Sequence, residues 1–349
     1  MNFDLDENQS LFKATVERFA GSGSASLYKA ARANPGGVDP ARWATLASLG
    51  ILGLAASEAD GGLGGSALDC AVVAEALGRG MVPEPWLESA YLPLRLVAGL
   101  SDLSGRIADG SERVAVALAE PGQRYRTDPT LVRAIRRGED WSLSGRKTFV
   151  LSGEAAETYL VTAATEAGAA LFAVPAAAVQ VQGYAVADGS RAVEFTLYEA
   201  PASWLGTPDI DRAIAEARLM ATAEILGLAQ KMFEETLVYV RERRQFGQPL
   251  GRFQVIQHRL VDAYASLEQM RSLLLRVAMA ERPDAAEILG CKAFVAEAAL
   301  AIGHGAIQLH GGMGVTDELT IGHAHKRVLL LSKLFGDPAS DLARFAVAA

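Results

Sequence analysis

The sequence contains few cysteines and few aromatic residues. Only two of its 349 residues are cysteines, and aromatic residues make up 7%. Cys70 and Cys291 lie in apolar runs far apart in the sequence. This pattern predicts two buried thiols, typical of a protein of the reducing cytoplasm, and argues against both a disulfide framework and a zinc site.

The chain also lacks an excess of positive charge and a long apolar run. It has 33 basic and 41 acidic residues, which give a net charge of −8. Surfaces that bind nucleic acids are normally basic, so no nucleic-acid partner is expected. No apolar run is long enough to span a bilayer, and the opening residues, MNFDLDENQSLFK, lack the basic and apolar regions of a signal peptide. We therefore expect a soluble cytoplasmic protein without membrane contact.

Half of the residues are hydrophobic, and their spacing changes twice along the chain. The apolar period is helical up to about residue 99, as in LFKATVERFA. Short alternating runs such as TYLVTA and ALFAVP then follow, separated by turn residues, before the helical period returns at about residue 209. The sequence predicts an α+β protein with a helical domain at 1–110, a small β-domain at 111–205 and a helical bundle at 206–349.

Two segments of the predicted bundle have the chemistry of a phosphate-bearing ligand site. The first, RERRQFGQPLGRFQVIQHRL at 241–260, clusters arginines at the end of a long helical run. A guanidinium can pair with two phosphate oxygens, although arginines at a helix C-terminus also compensate the helix dipole. The second, AIQLHGGMG at 306–314, contains a Gly-Gly corner that allows a ligand to approach the backbone closely.

These two segments resemble the FAD-binding signatures of the acyl-CoA dehydrogenase family, and the stretch AASEADGGLGGSALD at 55–69 resembles a loop of the same family. The resemblance extends over nearly the whole chain and implies an acyl-CoA dehydrogenase-like fold. It also implies FAD as cofactor and an acyl-CoA thioester as substrate. A glutamate would remove the α proton, flavin N5 would accept the β hydrogen as hydride, and an electron-transferring flavoprotein would be the acceptor. The family's shared FAD site implies an oligomer, either a homo-oligomer or a hetero-oligomer arranged as a dimer of dimers.

On the diphosphate side of FAD, the resemblance assigns residues one by one. Arg243 matches the arginine that contacts the diphosphate, and Phe246 matches an aromatic residue beside the cofactor. Gln245 replaces a small hydroxyl residue, whereas Gln254 keeps the family's glutamine. The Gln-x-x-Gly-Gly turn of the family is matched by Gln308, Gly311 and Gly312.

On the flavin-ring side, the sequence departs from the family pattern. Ala119 replaces a hydroxyl residue in ALAEPGQRYRTD, and Tyr125 replaces a serine that would contact CoA. In KTFVLSG, Phe149 stands where a tryptophan covers the flavin and could still stack on a ring. Leu151 replaces the hydroxyl residue of that motif. Ser152 is displaced by one position, which predicts that it lies on the opposite strand face.

The usual catalytic glutamate is also absent. Phe335 stands in its common position, and Ala217 occupies the helix position that some members use instead. Glu224 lies seven residues beyond Ala217, on the same helix face, in an otherwise apolar run. Desolvation there favours a general base, but an ion pair with an arginine of a neighbouring helix fits equally well.

Two functions stay open from the sequence. The first is a self-sufficient dehydrogenase that forms a 2,3-enoyl-CoA with Glu224 as base. The second is a non-catalytic or cofactor-completing subunit of an α2β2 enzyme with a paralogous partner. The chain also resembles short bacterial members that act on steroid side-chain CoA thioesters.

Four histidines of the last domain are expected to pack or form hydrogen bonds rather than bind a metal. They are His304, His310, His323 and His325.

Overall fold

The computed structural model describes residues 4–21, 24–100 and 102–348. By internal contacts the chain forms two compact units. One comprises the described parts of Met1–Lys29, Ser66–Val82 and Arg218–Ala349, and the other comprises those of Ala30–Gly65 and Pro83–Ala217. The helices are α1 (Glu7–Ala20), α2 (Ala25–Ala33), α3 (Pro40–Ser48), α4 (Ala67–Arg79), α5 (Leu92–Val97), α6 (Leu103–Ala108), α7 (Ile210–Glu242), α8 (Gln254–Ala278), α9 (Ala285–His310), α10 (Thr320–Lys333) and α11 (Pro338–Ala348).

Among the described residues, seven longer strands lie in the second unit. They are β1 (Val114–Ala117), β2 (Arg133–Arg137), β3 (Asp140–Leu151), β4 (Thr158–Thr165), β5 (Gly168–Pro175), β6 (Val181–Ala185) and β7 (Arg191–Gly206). Strands β4, β2, β3, β7 and β5 pair in that order, and β5 pairs again with β4, so the sheet closes on itself. Alternate residues such as Val161, Phe172 and Val193 point inward and form its core.

Strand β2 is the strand that the apolar pattern did not predict. Its sequence, RAIRR, contains three arginines, and only Ala134 is partly buried. Its pairing with β3, from Arg133 opposite Ser144 to Arg137 opposite Asp140, holds it in the sheet. Backbone pairing to a neighbouring strand therefore outweighed its poor local strand signal.

Close packing of helices α4 and α7 organises the first unit. A Cβ atom on Gly227 would lie 2.0 Å from the carbonyl oxygen of Glu75, and one on Gly78 would lie 2.3 Å from that of Glu224. Each helix thus presents a glycine to the backbone of the other. This close contact fixes the position of the middle of α7, which carries Glu224.

A buried group of charges joins α7, α9 and α11 in the same unit. The Lys292 ammonium donates hydrogen bonds to Asp341 Oδ2 at 2.9 Å and to the carbonyl oxygen of Gly336 at 2.6 Å. Arg218 donates to the carbonyl oxygen of Phe335 at 2.7 Å. Phe335 and Gly336 stand where the family's glutamate motif is expected, and the buried cations Arg218 and Lys292 therefore hold them in place.

The α, β, α order is confirmed, whereas the three domain boundaries stay a prediction. Both cysteines are buried, as the sequence predicted. Within residues 4–21, 24–100 and 102–348, no helix combines the length and apolarity that a membrane crossing requires.

Candidate cofactor site and candidate catalytic base

In the first unit, Tyr239 and His310 bring together the two segments at 241–260 and 306–314. Tyr239 precedes Arg243 by one helical turn, and the Arg243 amide donates to its carbonyl oxygen at 2.8 Å. The Tyr239 ring stacks on the His310 ring with 4.2 Å between centroids. His310 ends α9 immediately before the Gly311 turn. The ends of α7 and α9 thus meet, beside a cavity of about 480 Å³ that Tyr239, His310 and Met313 help to line.

The segment after α7 folds into a small hairpin that presents Phe246 to solvent. Strands β8 (Arg244–Gln245) and β9 (Gln248–Pro249) pair, and Phe246 and Gly247 form the two-residue turn. Both turn residues have positive φ, +53° and +81°, as a tight hairpin turn requires. A phenylalanine in the left-handed region is unfavourable, and its side chain is 90% exposed. Its ring makes an edge-on contact with Phe253, with 6.2 Å between ring centroids, and otherwise faces solvent.

The remaining residues assigned to the diphosphate side also lie at the surface. Gln245 donates a side-chain hydrogen bond to the carbonyl oxygen of Arg244 at 2.8 Å, and Gln254 is the first residue of α8. The side chains that the structure leaves exposed here are Arg243, Gln245, Phe246, Gln254 and Gln308.

The two glycines of the turn after α9, Gly311 and Gly312, differ in backbone conformation. Gly311 has a φ of +61°, which favours glycine, whereas Gly312 is outside the left-handed region. A Cβ atom at either position would meet no atom within 4 Å. Neither strain nor packing among the described residues requires glycine at 312. The assignment of both glycines to the cofactor stays a prediction.

In the second unit, a bulge in β3 sets the position of Phe149. Lys147 pairs with Phe195 but Val150 pairs with Val193, so β3 has one extra residue there. Phe149 has a φ of +52° and is 37% exposed. Ser152 lies beyond the end of β3 with a φ of +58° and is 6% exposed, so the alternation of strand faces does not apply to it. The contacts of both residues with a cofactor stay predictions.

The Glu-Pro-Gly and Lys-Thr-Phe segments meet in a buried ion pair that sequence reasoning did not foresee. Lys147 donates to Glu120 Oε1, Leu118 O and Thr162 Oγ1, each at 3.0 Å, and neither charged side chain is exposed. Burial opposes ionisation of Glu120, but the Leu131 amide and the Lys147 charge outweigh it and lower its pKa. Burial lowers the pKa of Lys147 to about 8, against the attraction of Glu120.

Glu224, the candidate base, is held by an arginine of a neighbouring helix. Arg327 of α10 donates from Nε to Glu224 Oε1 at 2.7 Å and from Nη2 to Oε2 at 3.2 Å. The side chains are 13% and 8% exposed. An ion pair with an arginine of a neighbouring helix is the alternative to a general base that the sequence left open, and both carboxylate oxygens take part in it. The role of Glu224 as base stays a prediction.

The neighbouring acid, Glu216, is also paired. Its carboxylate accepts from Arg95 Nε at 2.5 Å and from Arg212 Nε at 2.7 Å. Ala217 is fully buried, and Phe335 has a φ of +62° in the segment held by Arg218. Neither family position for the base carries an ionisable side chain in this protein.

The histidines of the last helices form local contacts. His310 contacts the carbonyl oxygen of Ala306 at 2.8 Å, and His323 contacts that of Asp317 at 3.1 Å. The rings of His304 and His325 lie 4.7 Å apart. Across the part of the chain that the structure describes, no group of three or more potential metal ligands was found.

Comparison with known proteins agrees with these features. Residues 6–91 match the model of the acyl-CoA dehydrogenase N-terminal domain, and residues 206–345 match that of the C-terminal domain. The chain is 32% identical to acyl-CoA dehydrogenase FadE27 of Mycobacterium tuberculosis, over 83% of this chain and 82% of that protein.

Two solved structures are similar over nearly the whole chain. A variant of the Tcur3481-Tcur3483 steroid ACAD is 30% identical with a TM-score of 0.86, covering 98% of this chain and 96% of that one. The ChsE4-ChsE5 complex from Mycobacterium tuberculosis is 26% identical with a TM-score of 0.91, covering 99% and 98%. The chain therefore belongs to the acyl-CoA dehydrogenase family, whose members are FAD-dependent oxidoreductases.

Proposed function

We propose that this chain takes part in the FAD-dependent conversion of an acyl-CoA thioester to its 2,3-enoyl form as the cofactor-completing subunit of a heteromeric enzyme. A paralogous subunit would supply the base that removes the α proton. One observation carries the proposal: both carboxylate oxygens of Glu224 are engaged by the Arg327 guanidinium. Ala217 and Phe335 leave no acid at the other two positions.

A general base needs an oxygen lone pair that can receive a proton from the substrate. The fork of Arg327 occupies both oxygens of Glu224 with two charge-assisted hydrogen bonds, so a substrate proton would have to compete with the guanidinium for these lone pairs. Removing a proton with this group would also disturb a mostly buried ion pair. A structural role for Glu224 requires neither change.

The residues assigned to the diphosphate side of FAD fit a cofactor that binds at the exposed surface of the first unit. Arg243 would pair with the diphosphate, Phe246 would pack beside it, and the turn at Gly311 and Gly312 would let it approach the backbone. The exposure of Phe246 and the open space at Gly312 support this assignment. When bound, the flavin supplies the hydride-accepting chemistry. Gln245, Gln254 and Gln308 would add hydrogen bonds, and Phe149 and Ser152 are the residues that the resemblance assigns to the flavin-ring side.

The similar structures support a heteromeric assembly. The ChsE4-ChsE5 complex and the Tcur3481-Tcur3483 steroid ACAD each carry the names of two proteins. We infer that this chain forms a dimer of dimers with a paralogue, acts on a steroid-derived acyl-CoA in the cytoplasm, and passes electrons to an electron-transferring flavoprotein.

A self-sufficient dehydrogenase with Glu224 as base is the second candidate. The Glu224 side chain is 13% exposed, so the ion pair is not sealed from solvent or from a ligand. In that case substrate binding would have to displace Arg327 from the carboxylate.

The test is the visible absorbance of the purified chain, first alone and then with a paralogue encoded beside it. We expect a chain that binds little FAD alone, and a yellow complex that an acyl-CoA bleaches only when both subunits are present. A yellow homo-oligomer that is bleached by acyl-CoA without a partner would overturn the heteromeric proposal and favour the second candidate.

A further inference from the structure

The bulge of β3 is held on both sides of Phe149 by backbone contacts. The Thr148 amide donates a hydrogen bond to the carbonyl oxygen of Ala119 at 2.9 Å. Pairing between β3 and β7 resumes at Val150, which lies opposite Val193. Phe149 stands between these two positions with a φ of +52°, a conformation that phenylalanine rarely adopts. Neither contact involves the backbone amide of Phe149.

The hydroxyl of Tyr184, on β6, lies against the Phe149 amide. This amide is within hydrogen-bonding reach of Tyr184 Oη and donates to it. The strand register explains the contact, because Tyr184 pairs with Ala192 of β7, which pairs in turn with Leu151 of β3. Directly paired residues place their side chains on the same face of a sheet. The Tyr184 side chain therefore starts on the face that carries Leu151 and reaches β3 across the small side chain of Ala192.

This face is the outer face of the sheet. Val150 and Val193 belong to the core inside the sheet, so Leu151, the residue after Val150, points away from that core. Tyr184 is half-buried, and Phe149 is 37% exposed. The two residues thus meet on the outside of the sheet, at a partly exposed surface.

The Tyr184 hydroxyl stays protonated at neutral pH. Burial raises the pKa of Tyr184 above its usual value and the charge of Glu194 adds to this shift, whereas the Phe149 amide opposes it. Glu194 itself pairs with Arg146 at 2.9 Å. A neutral phenol has an oxygen lone pair that can accept from a backbone amide. Removing the Tyr184 oxygen would therefore take this acceptor away from the bulge.

We propose that Tyr184 is a positioning residue, whose hydroxyl holds the backbone of Phe149 in the bulge conformation and thereby sets the direction of the Phe149 ring. This inference rests on the proposed function in taking the Phe149 ring as part of the flavin-ring side of the site. A misplacement of about 1 Å at a reacting site can reduce the rate about 100-fold. Tyr184 does not have to touch the flavin to act in this way.

The first experiment is hydrogen–deuterium exchange of the full chain, resolved to single amides, with and without Tyr184→Phe. This variant keeps the ring and removes only the hydroxyl. We expect the Phe149 amide to exchange about tenfold faster, the loss of roughly one hydrogen bond, while the other amides of β3 and β7 keep their rates. An unchanged rate for the Phe149 amide, or an equal rise throughout the sheet, would overturn the proposal.

The second experiment measures the flavin in the complex of this chain with its paralogue. We expect Tyr184→Phe to shift the visible absorbance band of the flavin. We also expect it to lower kcat about tenfold to 100-fold with little change in the KM for acyl-CoA, because the ring position matters after the substrate has bound. A faster-exchanging Phe149 amide with an unchanged flavin spectrum and unchanged kcat would overturn the positioning role.

The matched control is Tyr159→Phe, in the same sheet. The Tyr159 hydroxyl is buried and donates to the carbonyl oxygen of Gly153 at 2.8 Å, so this variant also loses one hydrogen bond. It should lower the Tm without altering the exchange of the Phe149 amide or the flavin spectrum. Equal changes in both variants would overturn the proposal by tracing them to a general loss of stability. If the unmodified complex binds no FAD, the proposed function fails, whereas the exchange experiment needs no paralogue and still decides whether Tyr184 holds Phe149.

Discussion

Replacing Glu224 by glutamine separates a structural carboxylate from a catalytic one. The change removes the negative charge but keeps the size of the side chain, so it removes the ion pair with Arg327 in a site where the side chains are 13% and 8% exposed. Breaking a buried ion pair by removing one partner costs about 3 to 5 kcal/mol. Because glutamine still offers one oxygen acceptor and the pair is not fully buried, we expect a loss of about 3 kcal/mol.

The assay combines thermal unfolding of the chain with the turnover of its complex with the paralogue. A loss of that size lowers the Tm of a chain of this length by roughly 5 °C. Turnover of the intact complex should remain near normal, because the paralogue would supply the base. A catalytic Glu224 would give a different pattern, with turnover of the complex reduced about 100-fold to 10,000-fold whatever the change in Tm.

Two further variants make this result decisive. Replacing both partners, as in Glu224→Gln with Arg327→Met, removes both charges of the pair and should restore most of the Tm. Glu234→Gln is the matched control on the same helix, because Glu234 pairs with Arg79 while their side chains are 36% and 40% exposed. That change should cost less than about 1 kcal/mol. An unchanged Tm for Glu224→Gln, with lost turnover that the double variant does not recover, would refute the structural interpretation.

Three other predictions follow from the same structure. The pKa of Lys147 is about 8 when folded and about 10.5 when unfolded, so the unfolded chain binds more protons between these two pH values. The free energy of unfolding should therefore rise with pH over this window, relative to the Lys147→Met variant. Chemical denaturation at several pH values measures this difference, and parallel pH profiles would contradict it. Gly312→Ala should leave the Tm of the isolated chain unchanged and lower the FAD content of the complex, since the added Cβ meets no atom within 4 Å. Gly227→Ala should lower the Tm, because its Cβ would lie 2.0 Å from the carbonyl oxygen of Glu75; equal Tm values for the two glycine variants would contradict the packing argument.

The sequence was a good guide wherever the signal was local. The period of apolar residues predicted the helix, strand, helix order, and the Arg-Gln-Phe-Gly and Gly-Gly segments identified the family. Strand β2 was missed because its arginines give no strand pattern, and only pairing with β3 makes it a strand. Tyr239 was missed although it lies one turn before Arg243, because its stacking partner, His310, is 71 residues away.

The sequence by itself predicted which residues face the diphosphate and that no acid stands at the usual position of the base, since both predictions depend only on which residues stand where. Only the tertiary structure decided what Glu224 contacts, because Arg327 lies 103 residues further along the chain. It also decided that Glu120 and Lys147 share a buried site and that the β3 bulge gives Phe149 a positive φ. Contacts of this kind arise from the packing of helices and the register of strands, and such long-range arrangements leave no periodic trace in the sequence.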